Sequence, residues 1–298
     1  MSDANETSFP GDTQPVLVAH DLGPGGRRAA DLGALFARAL GAPLRLVHAM
    51  DTAADADFGA VPAGLSPAVE VLKARIAARI AAERTALDAE VVRLRATGLT
   101  DVASKHVEGR PSEALVETAQ QAHAQLVVVA AHSGEVAPHT EAHGLARLLG
   151  STAERVVRHA GVPVVVAPDE PAAAGLCSGA PWLVGVDLGD TSRPPLEVAR
   201  RLSTRWGGRI VAVHAAKAGE PDRALELAHF VGAGGDVATL TLDGDVAEVL
   251  GRAAATEGCA AVVLGVHEHR GLLAKALGRD ALGPTFRASR VPVICVPV

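Results

Sequence analysis

The chain carries the same series of apolar segments twice, and this repeat constrains the fold more than any other feature of the sequence. "PVLVAHDLG" at 15–23 is echoed by "PWLVGVDLG" at 181–189, and "VPVVVAP" at 162–168 by "VPVICVP" at 291–297. Two more pairs lie between them in the same order, "LRLVHAM" with "RIVAVHAA" and "AQLVVVAAH" with "CAAVVLGVH". Self-similarity of this kind is the signature of a duplicated structural unit.

The length of 298 residues suits two ordinary domains better than one. The segment "DEPAAAGLCSGA" between the copies is rich in Ala and Gly and is typical of a linker. We therefore predict a disordered, polar and acidic tail at 1–14, a first domain at 15–169, a linker at 170–180 and a second domain at 181–298.

Within each copy, short apolar runs alternate with helical patterns. The runs are nearly all apolar, as in strands that a parallel sheet buries on both faces. Such alternation predicts an α/β protein with two tandem, doubly wound, five-stranded parallel-sheet domains and helices on both sheet faces. For the first copy we predict strands at 15–21, 43–49, 101–107, 126–131 and 162–167, and helices at 27–40, 68–94, 112–124 and 151–159.

Composition excludes several classes of function. A formal charge of -6 gives no electrostatic footprint for nucleic acid, and an aromatic content of 2% without tyrosine gives no platform for base stacking. The N-terminus has no signal-peptide pattern and the apolar runs are strand-length, so we expect no membrane partner. The three cysteines form no C-x-x-C pair and fit buried thiols in a reducing, cytoplasmic compartment.

Residues at the strand ends are the candidates for a binding site, because open α/β sheets bind ligands beyond the carboxyl ends of their strands. Unpaired N–H groups at the start of the helix near Ser151 would attract an anion such as phosphate. Asp21 could accept a hydrogen bond from a ribose hydroxyl or an adenine amino group, or help to hold a cation. Together these features predict a nucleotide pocket, although Gly-Ser-Thr is also ordinary helix-capping chemistry and an acid after a strand is also an ordinary turn residue. The candidate residues are Asp21, Ala49, Ala130, His132, Ser133, Gly144, Gly150, Ser151 and Thr152.

The chain resembles the universal stress protein family, as a tandem, two-domain member. The resemblance covers about 16–168 and 182–298. It is carried by "VLVAHD", "LRLVHAM", "VEGRPSEALVETAQQ", "VVVAAH" and "GLARLLGSTAERVVRHAGVPVVVAP". It implies a Rossmann-like, adenine nucleotide alpha hydrolase-like fold and non-catalytic binding of ATP or AMP in some members. It also implies dimers paired through their last strands, so that here the two copies would form an intramolecular pseudo-dimer about a pseudo-twofold axis, with a further homodimer left open.

The family pattern after the fourth strand is G-x-x-G, a spacer and G-[ST], and the first copy departs from it. Ala130 and Ser133 replace the two glycines, and "EVAPHTEAH" is inserted before "GLARLLGS". The closing Gly150-Ser151-Thr152 is intact, as is Asp21. We therefore expect the nucleotide, ATP or AMP with Mg²⁺ as a possible companion, in the first domain.

The second copy departs further. Glu268 replaces the second glycine and would repel a triphosphate, while Arg279 stands where Ser or Thr is expected. Arg279 either binds a phosphate or fills the empty site by pairing with a carboxylate. We expect a degenerate site and a largely structural domain. The residues of this second site are Asp187, Gly265, His267, Gly278 and Arg279.

Two alternatives to nucleotide binding remain at the level of the sequence. Several histidines converge on one sheet edge and could bind zinc, although no spacing matches a zinc signature; they are His20, His48, His132, His139 and His143. The other alternative is an interaction scaffold with both sites empty. An enzyme is not expected, because no hydrolase elbow, Walker loop or metalloprotease motif is present and no lysine accompanies the Gly150 loop to assist phosphoryl transfer.

Overall fold

The computed structural model of the protein describes residues 14–50, 67–132, 151–169, 176, 178–216, 222–232, 237–266 and 291–298. Strands and helices alternate along these residues. The strands are β1 (Val16–Ala19), β2 (Leu44–Met50), β3 (Val102–Glu108), β4 (Leu126–Ala130), β5 (Val164–Ala167), β6 (Trp182–Gly185), β7 (Ile210–Ala216), β8 (Val237–Asp243), β9 (Ala261–Val266) and β10 (Val293–Pro297). The helices are α1 (Pro24–Leu40), α2 (Pro67–Ala96), α3 (Pro111–Gln121), α4 (Ser151–His159), α5 (Arg193–Trp206), α6 (Ala224–Val231) and α7 (Val246–Glu257).

The ten strands form one sheet in the order β3-β2-β1-β4-β5-β10-β9-β6-β7-β8. Every neighbouring pair is parallel except β5 and β10, which run antiparallel with Val165 opposite Ile294. The second half of this order mirrors the first. The predicted fold class and the predicted pairing of the two last strands are therefore confirmed.

Helices cover both faces of the sheet because each carries an apolar stripe. On one face, α1, α2, α5 and α6 bury residues such as Phe36, Leu87, Leu202 and Leu227 against the strands. On the other face, α3, α4 and α7 bury residues such as Leu115, Val156 and Val249. Since the first core includes strands of both halves, the sheet is buried continuously across the β5–β10 seam.

Aromatic rings join the two halves on one face of the sheet. The ring of Phe36 on α1 meets that of Trp206 on α5 edge-on, with centroids 4.9 Å apart. Trp182 on β6 lies 5.7 Å from Trp206 and donates its indole N–H to the Gly207 carbonyl at 3.1 Å. Both tryptophans of the chain therefore lie at this junction.

The halves differ most in the helix that follows their second strand. In the first half α2 has 30 residues, whereas its counterpart α6 has 8. The predicted tail and linker lie largely outside the described residues, so the domain boundaries stay predictions. Of the described helices, none combines the length and apolar character needed to cross a membrane.

Candidate functional site

A cleft of about 320 Å³ opens at the carboxyl ends of β1, β2 and β4. This is the point where the connection order reverses, since β2 lies on one side of β1 and β4 on the other. The structure brings together here the predicted residues Asp21, Ala49, Ala130, Ser151 and Thr152, with His20 and His48. The remaining lining residues, which the sequence analysis did not single out, are Ala19, Val47, Pro111, Leu115, Val129, Ala131 and Ala153.

Asp21 forms the turn between β1 and α1. Its Oδ1 accepts the backbone N–H groups of Gly23 at 2.9 Å and Gly26 at 2.7 Å, which places a carboxylate at the start of α1. Leu22 within the turn has a φ of 63°, in the left-handed region that non-glycine residues rarely occupy. The other oxygen, Oδ2, is buried and has no hydrogen-bond partner among the described residues.

Two glycines let α1 begin this close to the carboxylate. A Cβ added at Gly26 would lie 2.5 Å from Asp21 Oδ1, and one added at Gly25 would lie 2.3 Å from the His132 carbonyl oxygen. The Cβ at Gly25 would also approach Asp21 Oδ2 to 3.2 Å. Any side chain at these two positions would therefore displace the turn or fill the space beside Oδ2.

The start of α4 forms the opposite wall of the cleft, through Ser151, Thr152 and Ala153. The first amides of a helix have no partner within it and carry the positive end of the helix dipole. The carboxylate of Glu154 in this turn forms an ion pair with Arg158. The predicted residues Ser133, Gly144 and Gly150 lie outside the described residues.

Two histidines of the cleft are oriented by the backbone. His48 donates its Nδ1–H to the His20 carbonyl oxygen at 2.8 Å, and His20 Nδ1 accepts the Leu22 N–H at 3.0 Å. Burial lowers the pKa of His20 below its ordinary value, even though Glu90 favours the charged form. His20 is therefore neutral at physiological pH, with its Nε2 facing Glu90 Oε1 at 3.9 Å.

Glu90 is a buried carboxylate of α2 that the sequence analysis missed. Burial would raise its pKa, but the hydrogen bonds and charge of Arg93 hold that pKa below its usual range. Glu90 follows Leu87 by three residues and directly precedes Val91, so it lies on the apolar side of the helix. A charged residue at such a position was the signal that could have revealed it.

His132 contacts a different carboxylate, that of Asp169. Its Nδ1 lies 3.1 Å from Asp169 Oδ2, and Arg28 reaches Asp169 Oδ1 at 3.3 Å. Asp169 follows the fifth strand, so the same strand-end argument that selected Asp21 would have found it. His132 does not appear among the residues that line the described cleft.

The described part of the chain contains no group of three or more His, Cys, Asp and Glu side chains placed to hold a metal ion. His20 and His48 have their Nδ1 atoms committed to the backbone, as shown above. The zinc interpretation therefore gains no support from the described histidines, and its other candidates, His139 and His143, lie outside them.

The second half repeats the turn but fills it differently. Asp187 accepts the Gly189 N–H at 2.9 Å, the Thr191 hydroxyl at 3.2 Å and a short hydrogen bond from the Ser192 hydroxyl. Burial would raise the pKa of Asp187, but these hydrogen bonds hold it below its ordinary value. Both oxygens of Asp187 are thus occupied within the protein.

The rest of the second site is only partly described. Gly265 is the residue before the end of β9 and lies beside α5, where an added Cβ would be 3.1 Å from the Thr191 carbonyl oxygen. His267, Gly278 and Arg279 lie outside the described residues, so the predicted role of Arg279 stays a prediction.

Comparisons with known proteins agree with the fold. The sequence model of the universal stress protein family matches residues 13–168. A universal stress protein of Mycobacterium tuberculosis is 44% identical over 68 residues, which is 23% of this chain and 21% of that protein. The chain thus matches only about a fifth of the length of this curated relative.

Two solved structures resemble the whole chain. A universal stress protein from Archaeoglobus fulgidus superposes with a TM-score of 0.69 at 16% identity, covering 98% of both chains. A putative universal stress protein from Pseudomonas aeruginosa superposes with a TM-score of 0.58 at 15% identity, covering 97% of this chain and 94% of that one. At these identities the likeness concerns the fold alone.

Proposed function

The chain belongs to the universal stress protein family, a family of stress-response proteins that are generally not catalysts, and on that premise we propose that it binds an adenine nucleotide, ATP or AMP, in the cleft of its first half. The second half then acts mainly as a structural partner. One observation carries the proposal. Asp21, whose Oδ2 has no hydrogen-bond partner among the described residues, and the amino end of α4 line the same cleft.

The helix end suits the phosphate groups. The amides of the first turn of α4, which have no partner within the helix, and the hydroxyls of Ser151 and Thr152 supply donors at one wall of the cleft. The competing anion of that turn, Glu154, is already held by Arg158 one turn further on. A phosphate bound here would replace water on these donors without displacing an internal contact of α4.

The opposite wall suits the sugar or the base. Asp21 Oδ2 has no donor in the part of the chain that the structure describes, and a buried carboxylate oxygen without one is unfavourable by about 1–3 kcal/mol or more. A ribose hydroxyl or an adenine amino group would supply that donor. The apolar side chains of Val47, Leu115 and Val129 line the space between the two walls, as a purine requires. The volume of about 320 Å³ lies at the lower end of the range for small-molecule sites.

Binding without turnover fits the charges around the cleft. No lysine or arginine lines the part of the cleft that the structure describes. Fast phosphoryl transfer needs cations on the phosphoryl group as charge develops in the transition state. We therefore propose a sensing role for the nucleotide, with Mg²⁺ present only as a companion of ATP.

Calorimetric titration of the purified chain with ATP and with AMP tests the proposal. Asp21→Asn keeps one acceptor oxygen for the Gly23 and Gly26 N–H groups and turns the unpartnered oxygen into a donor. Because it removes one carboxylate acceptor from a residue that lines the cleft and keeps the Gly23 and Gly26 contacts, we expect it to weaken binding at least about tenfold, or about 1.4 kcal/mol. Asp187→Asn makes the same change in the second half and should leave the affinity unchanged.

Four outcomes would count against the proposal. Equal affinities of the wild type and Asp21→Asn would place the nucleotide elsewhere, and an equal loss in Asp187→Asn would show a general effect on the fold. Stoichiometric zinc in the purified protein, without nucleotide, would favour the metal-binding alternative. A chain that binds neither would be an interaction scaffold.

A further inference from the structure

The sheet has two edges, and the two halves protect them differently. β3 is the outer strand of the first half and β8 is the outer strand of the second. An edge strand exposes backbone N–H and C=O groups that can pair with another chain, and proteins usually block such an edge with charge or with a covering element.

The β3 edge is blocked in three ways. The exposed Lys105 lies at its centre, so two antiparallel copies of β3 would bring like charges together. The guanidinium of Arg95 donates to the Val102 carbonyl at 2.6 Å and already occupies a backbone acceptor of the strand. Ser104 donates to Asp88 at 2.8 Å, which ties the strand to the long helix α2.

The β8 edge differs from the β3 edge in the charge at its centre. Its sequence, "VATLTLD", has no charged residue before Asp243 at its end, and none of its residues is fully buried. Among the described strands it pairs with β7 alone. At one end of β8, Arg252 donates to the Asp243 carbonyl at 3.1 Å, as Arg95 donates to Val102 at one end of β3. The two edges therefore differ in their central charge and not in this contact.

The helix beside β8 adds an exposed apolar side chain. The short helix α6 buries Leu227 and Val231 towards the sheet and leaves Leu225 88% exposed. Leu225 is more exposed than any other large apolar side chain of the described residues. An uncharged strand edge and a solvent-facing leucine thus occur together at one end of the molecule.

We propose that β8 is a self-association edge, at which β8 of one molecule pairs antiparallel with β8 of a second copy about a twofold axis. With Leu240 at the centre, each Asp243 lies opposite Val237 of the other copy, so no like charges meet. The chain already uses this mode once, because β5 and β10 pair antiparallel between its own halves. The pairing extends the ten-stranded sheet through the one edge that carries no charge at its centre. This inference does not depend on nucleotide binding.

Sedimentation velocity of the full chain over a range of concentrations tests the inference. Thr239→Lys places a charge on an exposed position of β8, where it opposes Thr241 of the other copy. Because this substitution gives β8 an exposed charge like that of Lys105 on β3, we expect it to raise the dimer dissociation constant at least about tenfold. Ser104→Lys is the matched control, since Ser104 pairs with Leu46 on β2 as Thr239 pairs with Ala212 on β7.

The comparison decides the assignment of the edge. Weaker association in Thr239→Lys with unchanged association in Ser104→Lys supports self-pairing through β8. A wild-type chain that stays monomeric at all concentrations overturns the inference. So does a dimer that Thr239→Lys leaves intact, or one that both lysine variants weaken equally.

Discussion

The two halves of the chain build the same turn after their first strand, and the shared part shows what the fold requires. Leu22 and Leu188 both adopt left-handed backbone, with φ values of 63° and 66°. Asp21 and Asp187 each accept the N–H of the glycine two residues later at 2.9 Å. A strained leucine kept at equivalent positions of two diverged copies indicates that this turn serves the fold, because backbone strain persists only where the surroundings enforce it.

A histidine in the second strand of each half makes the same hydrogen bond. His48 and His214 each donate an Nδ1–H, at 2.8 Å, to the carbonyl oxygen of the residue that follows the first strand of its half. These bonds join the second strand to the turn in both halves. Their duplication identifies them as structural, which removes two histidines from any ligand-binding role through Nδ1.

The halves differ in the hydrogen bonds that the aspartate of this turn accepts. Gly25 in the first half stands where Thr191 stands in the second. The Thr191 hydroxyl donates to Oδ2 of Asp187, whereas Oδ2 of Asp21 has no donor among the described residues. The aspartate of the second half is therefore complete without a ligand, whereas that of the first half is not. The same backbone turn thus holds two aspartates that differ in the hydrogen bonds they accept.

The largest expected effect comes from breaking the junction between the halves. Ile294→Asp would bury a carboxylate at the centre of the β5–β10 pair, opposite Val165, where both native side chains are fully buried. We expect the free energy of unfolding to fall by about 4 kcal/mol or more, because a buried charge without a partner is among the most destabilising changes. Urea unfolding followed by tryptophan fluorescence measures it, since Trp182 and Trp206 lie at the junction.

Ile294→Val is the control for this experiment and should cost only about 1 kcal/mol. If Ile294→Asp were as stable as this control, or left the fluorescence unchanged, the halves would not depend on their junction. The comparison between them would then be one between two independent domains.

A smaller effect is expected from exchanging a helix residue between the halves. Gly33 on α1 faces β1, and an added Cβ would lie 2.4 Å from Val18 Cγ2, whereas the second half has the buried Ala199 at the equivalent position. We expect Gly33→Ala to destabilise the protein by about 2 kcal/mol through overpacking. The reverse exchange, Ala199→Gly, should cost about 1 kcal/mol through the greater freedom of the unfolded glycine.

Urea unfolding of both variants decides whether the two helices pack against their strands in the same way. In an exposed helix, alanine is favoured over glycine by about 1 kcal/mol. A stabilising Gly33→Ala would show that Val18 moves aside at little cost and that the first half accepts the packing of the second.

The smallest effect concerns pH and the residue at position 20, where the second half has Val186. Burial lowers the pKa of His20 below its ordinary value of 6.5; Glu90 and Asp21 oppose that shift, and His48 and Arg27 add to it. His20 therefore binds a proton less readily in the folded protein than in the unfolded chain. Stability is lost as the pH falls through the unfolded value, and His20→Val should remove this part of the loss.

Thermal unfolding of the wild type and His20→Val at about pH 8 and about pH 5.5 measures the difference. The variant should lose less stability on acidification, even if the loss of an acceptor for the Leu22 N–H lowers its stability at both values. An identical pH dependence in the two proteins would show that His20 takes up its proton equally well in the folded state.

The strands and helices of the first half follow closely from local pattern. The helix predicted at 151–159 begins and ends where α4 does. Each strand predicted for the first half overlaps an observed one, with ends that differ by at most two residues. The position of the site also follows, because the strand ends of a parallel sheet meet at one edge. The pairing of β5 with β10 came from the family resemblance and not from any local signal.

The contacts that set the properties of the site were not predictable in this way. Glu90 meets His20 because a long helix crosses the sheet, and the two residues are far apart in sequence. The number of hydrogen bonds that Asp21 or Asp187 accepts depends on how closely donors at the start of the next helix approach the carboxylate.

The repeat and the apolar periodicity of the sequence by themselves determined the duplicated α/β architecture, since burial of a strand or a helix face depends on the spacing of neighbouring residues. Only the tertiary structure decided which hydrogen bonds each aspartate accepts from the described residues, how burial shifts the pKa of His20, and which two strands form the edges of the sheet. These properties arise from distances between groups that the chain brings together only on folding, and hydrogen bonds and charges respond to such distances far more steeply than apolar burial does.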